Sequence, residues 1–247
     1  MRKKAVIFDM DGLMFDTETL GYQAQGELAE EMALPIAFDF DYYLKQVGRS
    51  DKDVMPELAS DFGDAELAER FLKRMKERQT GIASEKGLPI KKGLYDLLAF
   101  LKEEGVICVV ASSSRRKEVS FYLELADISQ YFRYQVCGDE LSFPKPNPEL
   151  FLSARKPLAI PKEDCLILED SLNGIRAAYD AGIEVIMVPD LIVPDDEAKA
   201  KTIAILPDLH AVMDWLKEKY PVRLLPAYLL SRRKERGKTG WCKKQIC

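Results

Sequence analysis

Apolar residues in this chain follow two different periods. Lys4–Phe8, Val106–Ala111 and Cys165–Leu168 are short, nearly continuous apolar runs, the pattern of strands buried on both faces. Tyr134–Cys137, Val185–Val188 and Ile203–Leu206 read as further strands. Apolar positions at helical spacing fill Gly93–Glu104, Ser171–Ala181 and Asp208–Lys219, and a further helical stretch begins near Arg115. The alternation predicts an α/β fold with a mainly parallel sheet core flanked by helices. Residues 15–88 break it, being rich in helix formers with no β-branched run. There Thr17–Met32, Asp51–Ser60 and Asp64–Arg78 read as helices, each opening on a residue suited to the positive helix end. Loops around Asp39 and Gly48 would separate them.

The expected organisation is therefore a discontinuous core of residues 1–14 and 89–220 with a small helical domain, 15–88, inserted. The chain would cross between them near Met14–Asp16 and Ser84–Pro89. Residues 221–247, with the basic run Ser231–Lys238, read as an extension outside this pattern.

Candidate chemistry gathers where apolar runs end. Asp9 and Asp11 in Phe8-Asp9-Met10-Asp11-Gly12 follow the first run on one side of the chain, beyond the strand end where open α/β sheets bind ligands. Two close carboxylates suit a cation, with one attacking phosphorus and the other moving protons. Taken alone, D-x-D-G reads equally well as a solvated turn. The second run ends in Ser112-Ser113-Ser114, hydroxyls that suit a phosphoryl oxygen and equally cap a helix. Lys145 stands in Phe143-Pro144-Lys145-Pro146-Asn147-Pro148, where flanking prolines stiffen the backbone that carries one ammonium, and Asn147 lies beside it. The third run ends in Glu169-Asp170-Ser171, and Asp170 could complete an oxygen-rich cation site with Asp9.

These four segments, in this order, resemble the motifs of the haloacid dehalogenase superfamily, and within it the β-phosphoglucomutase-like phosphatases with a small helical cap. The resemblance spans about Lys3 to Tyr220. It implies a Rossmann-like core, Asp9 as the nucleophile that forms an aspartyl phosphate, and Asp11 as acid and base. It also implies Ser112 on a phosphoryl oxygen, Lys145 orienting Asp9, and Mg²⁺ held by Asp9, the Asp11 carbonyl and Asp170, with Glu169 in a supporting position. In the cap, Val47-Gly48-Arg49-Ser50 matches a loop that sets an arginine on the substrate, so Gly48 and Arg49 are expected at the substrate. Ser113, Asn147 and Lys76 are further candidates, although Lys76 also sits in a run of basic residues.

One departure bears on the reaction. True β-phosphoglucomutases carry a histidine in the first cap helix, and Glu18-Thr19-Leu20-Gly21-Tyr22 has none. The single histidine of the chain is His210. The expectation is a phosphomonoester hydrolase for a small metabolite, a sugar or polyol phosphate, with phosphomutase as the alternative. Dehalogenase chemistry fits D-M-D-G less well, and a non-catalytic binder of phosphometabolites is the remaining reading.

The whole composition agrees. At 247 residues, 47% hydrophobic and 31% charged, the chain can bury a sizeable core. A formal net charge of −5 disfavours a nucleic-acid partner. Five cysteines without a C-x-x-C pair give no zinc signature and are expected to be free thiols in the cytoplasm. Arg2-Lys3-Lys4 before an apolar run mimics a secretion signal, but Asp9 and Asp11 interrupt its hydrophobic part. No apolar stretch reaches the roughly 20 residues that span a bilayer. Without a heptad run, a monomer is expected.

Overall fold

The computed structural model describes residues 3–34 and 36–220. The expected extension at 221–247 lies outside the described residues. Six strands form one parallel sheet: β1 (Ala5–Phe8), β2 (Ile107–Ser112), β3 (Phe132–Cys137), β4 (Cys165–Glu169), β5 (Val185–Met187) and β6 (Ala204–Ile205), in the order β3-β2-β1-β4-β5-β6. This is the doubly wound, Rossmann-like order, and the strand sequence reverses at β1. A crevice therefore opens at the carboxyl end of the sheet between β1 and its neighbours.

Helices α1 (Thr17–Glu31), α2 (Phe40–Leu44), α3 (Asp51–Phe62) and α4 (Ala65–Lys86) all lie between β1 and β2 in sequence. Then come α5 (Leu94–Glu103), α6 (Arg116–Leu125), α7 (Glu149–Arg155), α8 (Leu172–Asp180), α9 (Asp196–Lys201) and α10 (Leu209–Lys219). Alternation along β1 sends Val6 and Phe8 to one face, packed with α5, α6 and α10, and Ala5 and Ile7 to the other, packed with α7, α8 and α9. Covered on both faces, the strands can be apolar throughout, which is why their runs are continuous.

Three findings depart from the sequence reading. The segment at Asp39 holds a short helix, α2, because the Asp39 carboxylate accepts the Tyr42 N–H at 2.8 Å. The third insertion helix does not stop at Arg78 but continues to Lys86, with Gln79, Ile82 and Ala83 buried in its added turns. Helices α7 and α9, seven and six residues long, are too short to show a period and were not expected.

The insertion has its own packing. Phe38, Phe62 and Phe71 pack ring against ring at 5.2–6.0 Å, and burying a side chain of this size contributes about 2–3 kcal/mol. The two crossings pair with each other: Asp16 N–H donates to the Pro89 carbonyl at 2.9 Å, Lys91 N–H donates to Met14 at 3.0 Å, and Phe15 bridges Ile90.

Candidate active site

Strand ends place the acids. Asp9 leaves β1 with its N–H on the Leu168 carbonyl at 3.0 Å, which ties it to β4, and β4 ends in Glu169 and Asp170. Asp9, Glu169 and Asp170 are 4%, 0% and 7% exposed, and a carboxylate oxygen from each lies within 4.8 Å of the others. Into this cluster the loop before α7 sends Lys145, whose Nζ donates to Asp9 at 2.6 Å and to Glu169 at 2.5 Å. Glu169 is anchored from behind by the N–H and hydroxyl of Ser171, which also caps α8 through Gly174 N–H. Gly174 is required there because a Cβ would lie 1.6 Å from Glu169 Oε1.

Three buried carboxylates share one ammonium, so full ionisation would leave two negative charges uncompensated. Burial, then the neighbouring acids, push Asp170 well above the usual carboxylate range. Burial likewise raises Asp9, with Glu169 and Asp11 adding to it and Lys145 opposing. Burial alone would lower Lys145, but Asp9 and Glu169 outweigh it and hold the ammonium charged. A hard, all-oxygen set with surplus negative charge fits Mg²⁺. Asp9, Glu169 and Asp170 are the side chains that could hold it.

Asp11 stands apart from that cluster. Its Oδ1 accepts from Thr17 Oγ1 at 2.9 Å, and its Oδ2 accepts from Ser114 Oγ at 2.8 Å and Ser112 Oγ at 3.2 Å. Gln79 of α4 in turn donates to the Thr17 carbonyl at 2.7 Å. Asp11 is thus held between the end of β2 and the first turn of α1, facing the cavity.

That cavity, about 120 Å³, is lined by Asp9, Asp11, Gly48, Arg49, Ser113, Lys145, Asp170 and Lys76 among others, so it lies between the core and the insertion. It adjoins a groove of about 570 Å³ between α3, α4 and α6, sharing Asp51, Lys76, Arg115 and Glu118 with it.

Three expected substrate contacts are placed differently. Asn147 is absent from the cavity wall: its side-chain oxygen accepts Glu149 N–H at 3.0 Å and shapes the start of α7. Ser112 is fully buried, with its hydroxyl turned to Asp11 rather than into the cavity, where Ser113 and Ser114 stand instead. Arg49 reaches the wall, but its guanidinium fork is engaged with Glu57 at 2.7 and 2.8 Å, an exposed pair in easy exchange with water. Gly48, at φ +71°, turns the chain against Ser171, and its carbonyl accepts from Asn173 at 3.2 Å. Lys76 faces Asp51 at 3.6 Å. Burial acts to lower it, but the carboxylates of Asp51, Asp11, Glu18 and Glu118 prevail and keep it raised.

Sequence reading passed over Glu18, an acid in the first turn of α1 that reads simply as a complement to the helix dipole. It lines the cavity, accepts the Tyr43 hydroxyl at 2.6 Å, and is pushed up to about 7, chiefly by burial. Between its ordinary 4.5 and 7, the folded protein keeps a proton that the unfolded chain has released, so this group makes stability fall as pH rises. Glu18→Gln is expected to melt with the wild type in acid and above it at alkaline pH, by at most about 3 kcal/mol. Thermal melts across pH check this; parallel curves would overturn it.

Residues 6–188 match the haloacid dehalogenase-like hydrolase family. The phosphorylated carbohydrates phosphatase of Thermotoga maritima is 33% identical over 181 residues, 73% of this chain and 82% of that protein. A β-phosphoglucomutase of Bacillus subtilis is 30% identical over 184 residues, 73% of this chain and 80% of that one. The crystal structure of CbbY from Rhodobacter sphaeroides in complex with phosphate superposes with a TM-score of 0.76 at 25% identity, covering 84% of this chain and 95% of that one. The chain belongs to the haloacid dehalogenase-like hydrolases. It is an enzyme of the phosphatase type, similar to the β-phosphoglucomutase-like members, and phosphatases of this family generally use Mg²⁺. Among the described residues, no helix is long and apolar enough to cross a membrane.

Proposed function

We propose that the protein is a Mg²⁺-dependent phosphomonoesterase for a small sugar or polyol phosphate, working through a phosphoryl group carried on Asp9. The observation that carries this is the division of labour among the carboxylates: Asp9 is buried against Lys145, while Asp11 is held apart on hydroxyls. Asp9 Oδ attacks phosphorus as the ester P–O bond breaks. Asp11 donates a proton to the leaving oxygen, then takes one from the water that cleaves the aspartyl phosphate. Lys145 neutralises charge on Asp9 and the phosphoryl oxygens, and Ser113 and Ser114 line the same wall. Mg²⁺, when bound, would offset the remaining charge of phosphate and acids. Residues 15–88 would act as a cap that excludes water and meets the leaving group through Lys76 and, once its fork leaves Glu57, Arg49.

Hydrolysis is favoured over isomerisation because the first insertion helix carries no histidine. At Gly21 the space is filled by Tyr43, whose hydroxyl lies 2.3 Å from where a Cβ would sit. Inorganic phosphate release from sugar, polyol and nucleotide monophosphates, with and without Mg²⁺, tests the reading. Turnover confined to sugar or polyol esters in Mg²⁺ is expected. Phosphorus NMR showing isomerised ester without free phosphate would move the assignment to a mutase, and inertness toward every ester would overturn it.

A further inference from the structure

Beside the acids lies a fourth carboxylate that the proposed chemistry does not use. Asp190 follows β5 in the loop next to the Asp170 strand end, and its side chain is 8% exposed. Lys91, just past the second crossing, holds Oδ1 at 2.6 Å. Oδ2 is buried and has no hydrogen-bond partner. It is the one carboxylate oxygen among the five buried, unpartnered side-chain atoms of the described residues.

The direction of that oxygen is fixed by Gly12. A Cβ there would sit 2.3 Å from Asp170 Oδ2 and 3.1 Å from Asp190 Oδ2, so both oxygens border one gap that only glycine leaves open. At φ +75°, residue 12 is also in the region that favours glycine. An ion pair serving only to tie the loop to the crossing would need neither the gap nor a second oxygen kept dry and unpaired.

We propose that Asp190 is a positioning residue for the cation site. Its free oxygen accepts a hydrogen bond from water in the hydration shell of a Mg²⁺ held by Asp9 and Asp170, while Lys91 fixes the carboxylate through its other oxygen. Such outer partners orient the ligands that touch a metal and raise affinity without touching it themselves. The inference rests on the proposed Mg²⁺ site.

The test is calorimetric titration of Mg²⁺ into the full-length wild type and the Asp190→Ala, Asp190→Asn and Lys91→Met variants, with phosphate release followed against Mg²⁺ concentration. Asp190→Ala is expected to weaken Mg²⁺ binding by about 10–100-fold and to raise the Mg²⁺ needed for half-maximal turnover alike. Saturating Mg²⁺ should recover most of kcat. Asp190→Asn keeps an acceptor oxygen and the side-chain shape, so it should lose less; it also carries the test should the alanine variant fail to fold. Lys91→Met keeps both carboxylate oxygens but loses the grip on one of them, so it should weaken Mg²⁺ binding less than Asp190→Ala does. Unchanged Mg²⁺ affinity in the Asp190 variants, or an equal loss in Lys91→Met, would overturn the inference while leaving the phosphatase reading intact. A wild type that binds no Mg²⁺ would overturn both.

Discussion

Asp9→Asn is expected to remove turnover on every ester, by roughly 10⁵–10⁶-fold, the scale on which removing the nucleophile of a covalent catalyst acts. An amide oxygen at this position is a poor nucleophile toward phosphorus, and no other carboxylate takes its place. Asp11 is tied to Thr17, Ser112 and Ser114, while Asp170 lacks the lysine contact that orients Asp9. The fold should survive the change. Burial already works against the ionised form of Asp9 in the metal-free protein, so a neutral side chain of the same shape removes a cost, and Lys145 retains Glu169. Single-turnover phosphate release and a thermal melt in EDTA check the two parts together. Metal-dependent turnover near the wild-type rate would sink the nucleophile assignment.

Lys145→Met should be the most damaging change to stability, and it should slow turnover as well. Its stem is replaced by one of similar length, but the ammonium goes, leaving Asp9 and Glu169 buried and facing each other without their counter-ion. Breaking one partner out of a buried charge cluster costs about 3–5 kcal/mol. The loss has a sign in pH. Without the lysine, burial raises the Asp9 carboxyl unopposed, so the variant suffers most at neutral and alkaline pH. It recovers toward acid, where a bound proton replaces the missing charge. Turnover should fall by about 10²–10³-fold even in saturating Mg²⁺, because the preorganised positive charge beside the phosphoryl group is gone. Denaturant melts at two pH values and steady-state kinetics measure both. A variant as stable as the wild type at alkaline pH would show that Asp9 is protonated in the native protein.

The elements that position the chemistry were legible because they are buried on two faces or capped. β1, β2 and β4 announce themselves as apolar runs, and the acids and hydroxyls at their ends fall together because parallel strands deliver their carboxyl ends to one edge. Helix starts near Thr17, Asp51, Asp64 and Asp208 were readable from residues suited to the positive helix end, and the N–H groups there are accepted by the side chains of Asp16, Ser50, Asp64 and Asp208. What the chain concealed was direction. Nothing local tells whether the Ser112 hydroxyl turns into the cavity or back to Asp11, since that depends on a partner 101 positions away. The engagement of Arg49 with Glu57 was hidden likewise, because it needs the turn at Gly48 and the register of α3. Asn147 misled for a related reason: a polar residue in a lysine-bearing loop looks like a ligand until its side chain is seen to fold onto Glu149. Asp190 carries no motif at all, and only the gap at Gly12 gives it meaning.

The paired crossings bear on how the molecule could change over time. Because Asp16 and Pro89 are joined by a backbone hydrogen bond, and Met14 and Lys91 by another, the insertion leaves and rejoins the core at essentially one point. Closing a loop whose ends already touch adds little entropy, and that cost grows only slowly with loop length. The stretch from 18 to 88 can therefore lengthen or shrink while β1 stays in register, provided that the contacts of Thr17 and Gln79 that hold Asp11 are kept. In a protein built this way, the insertion and the sheet edge that carries Asp9, Glu169 and Asp170 are free to evolve on separate clocks.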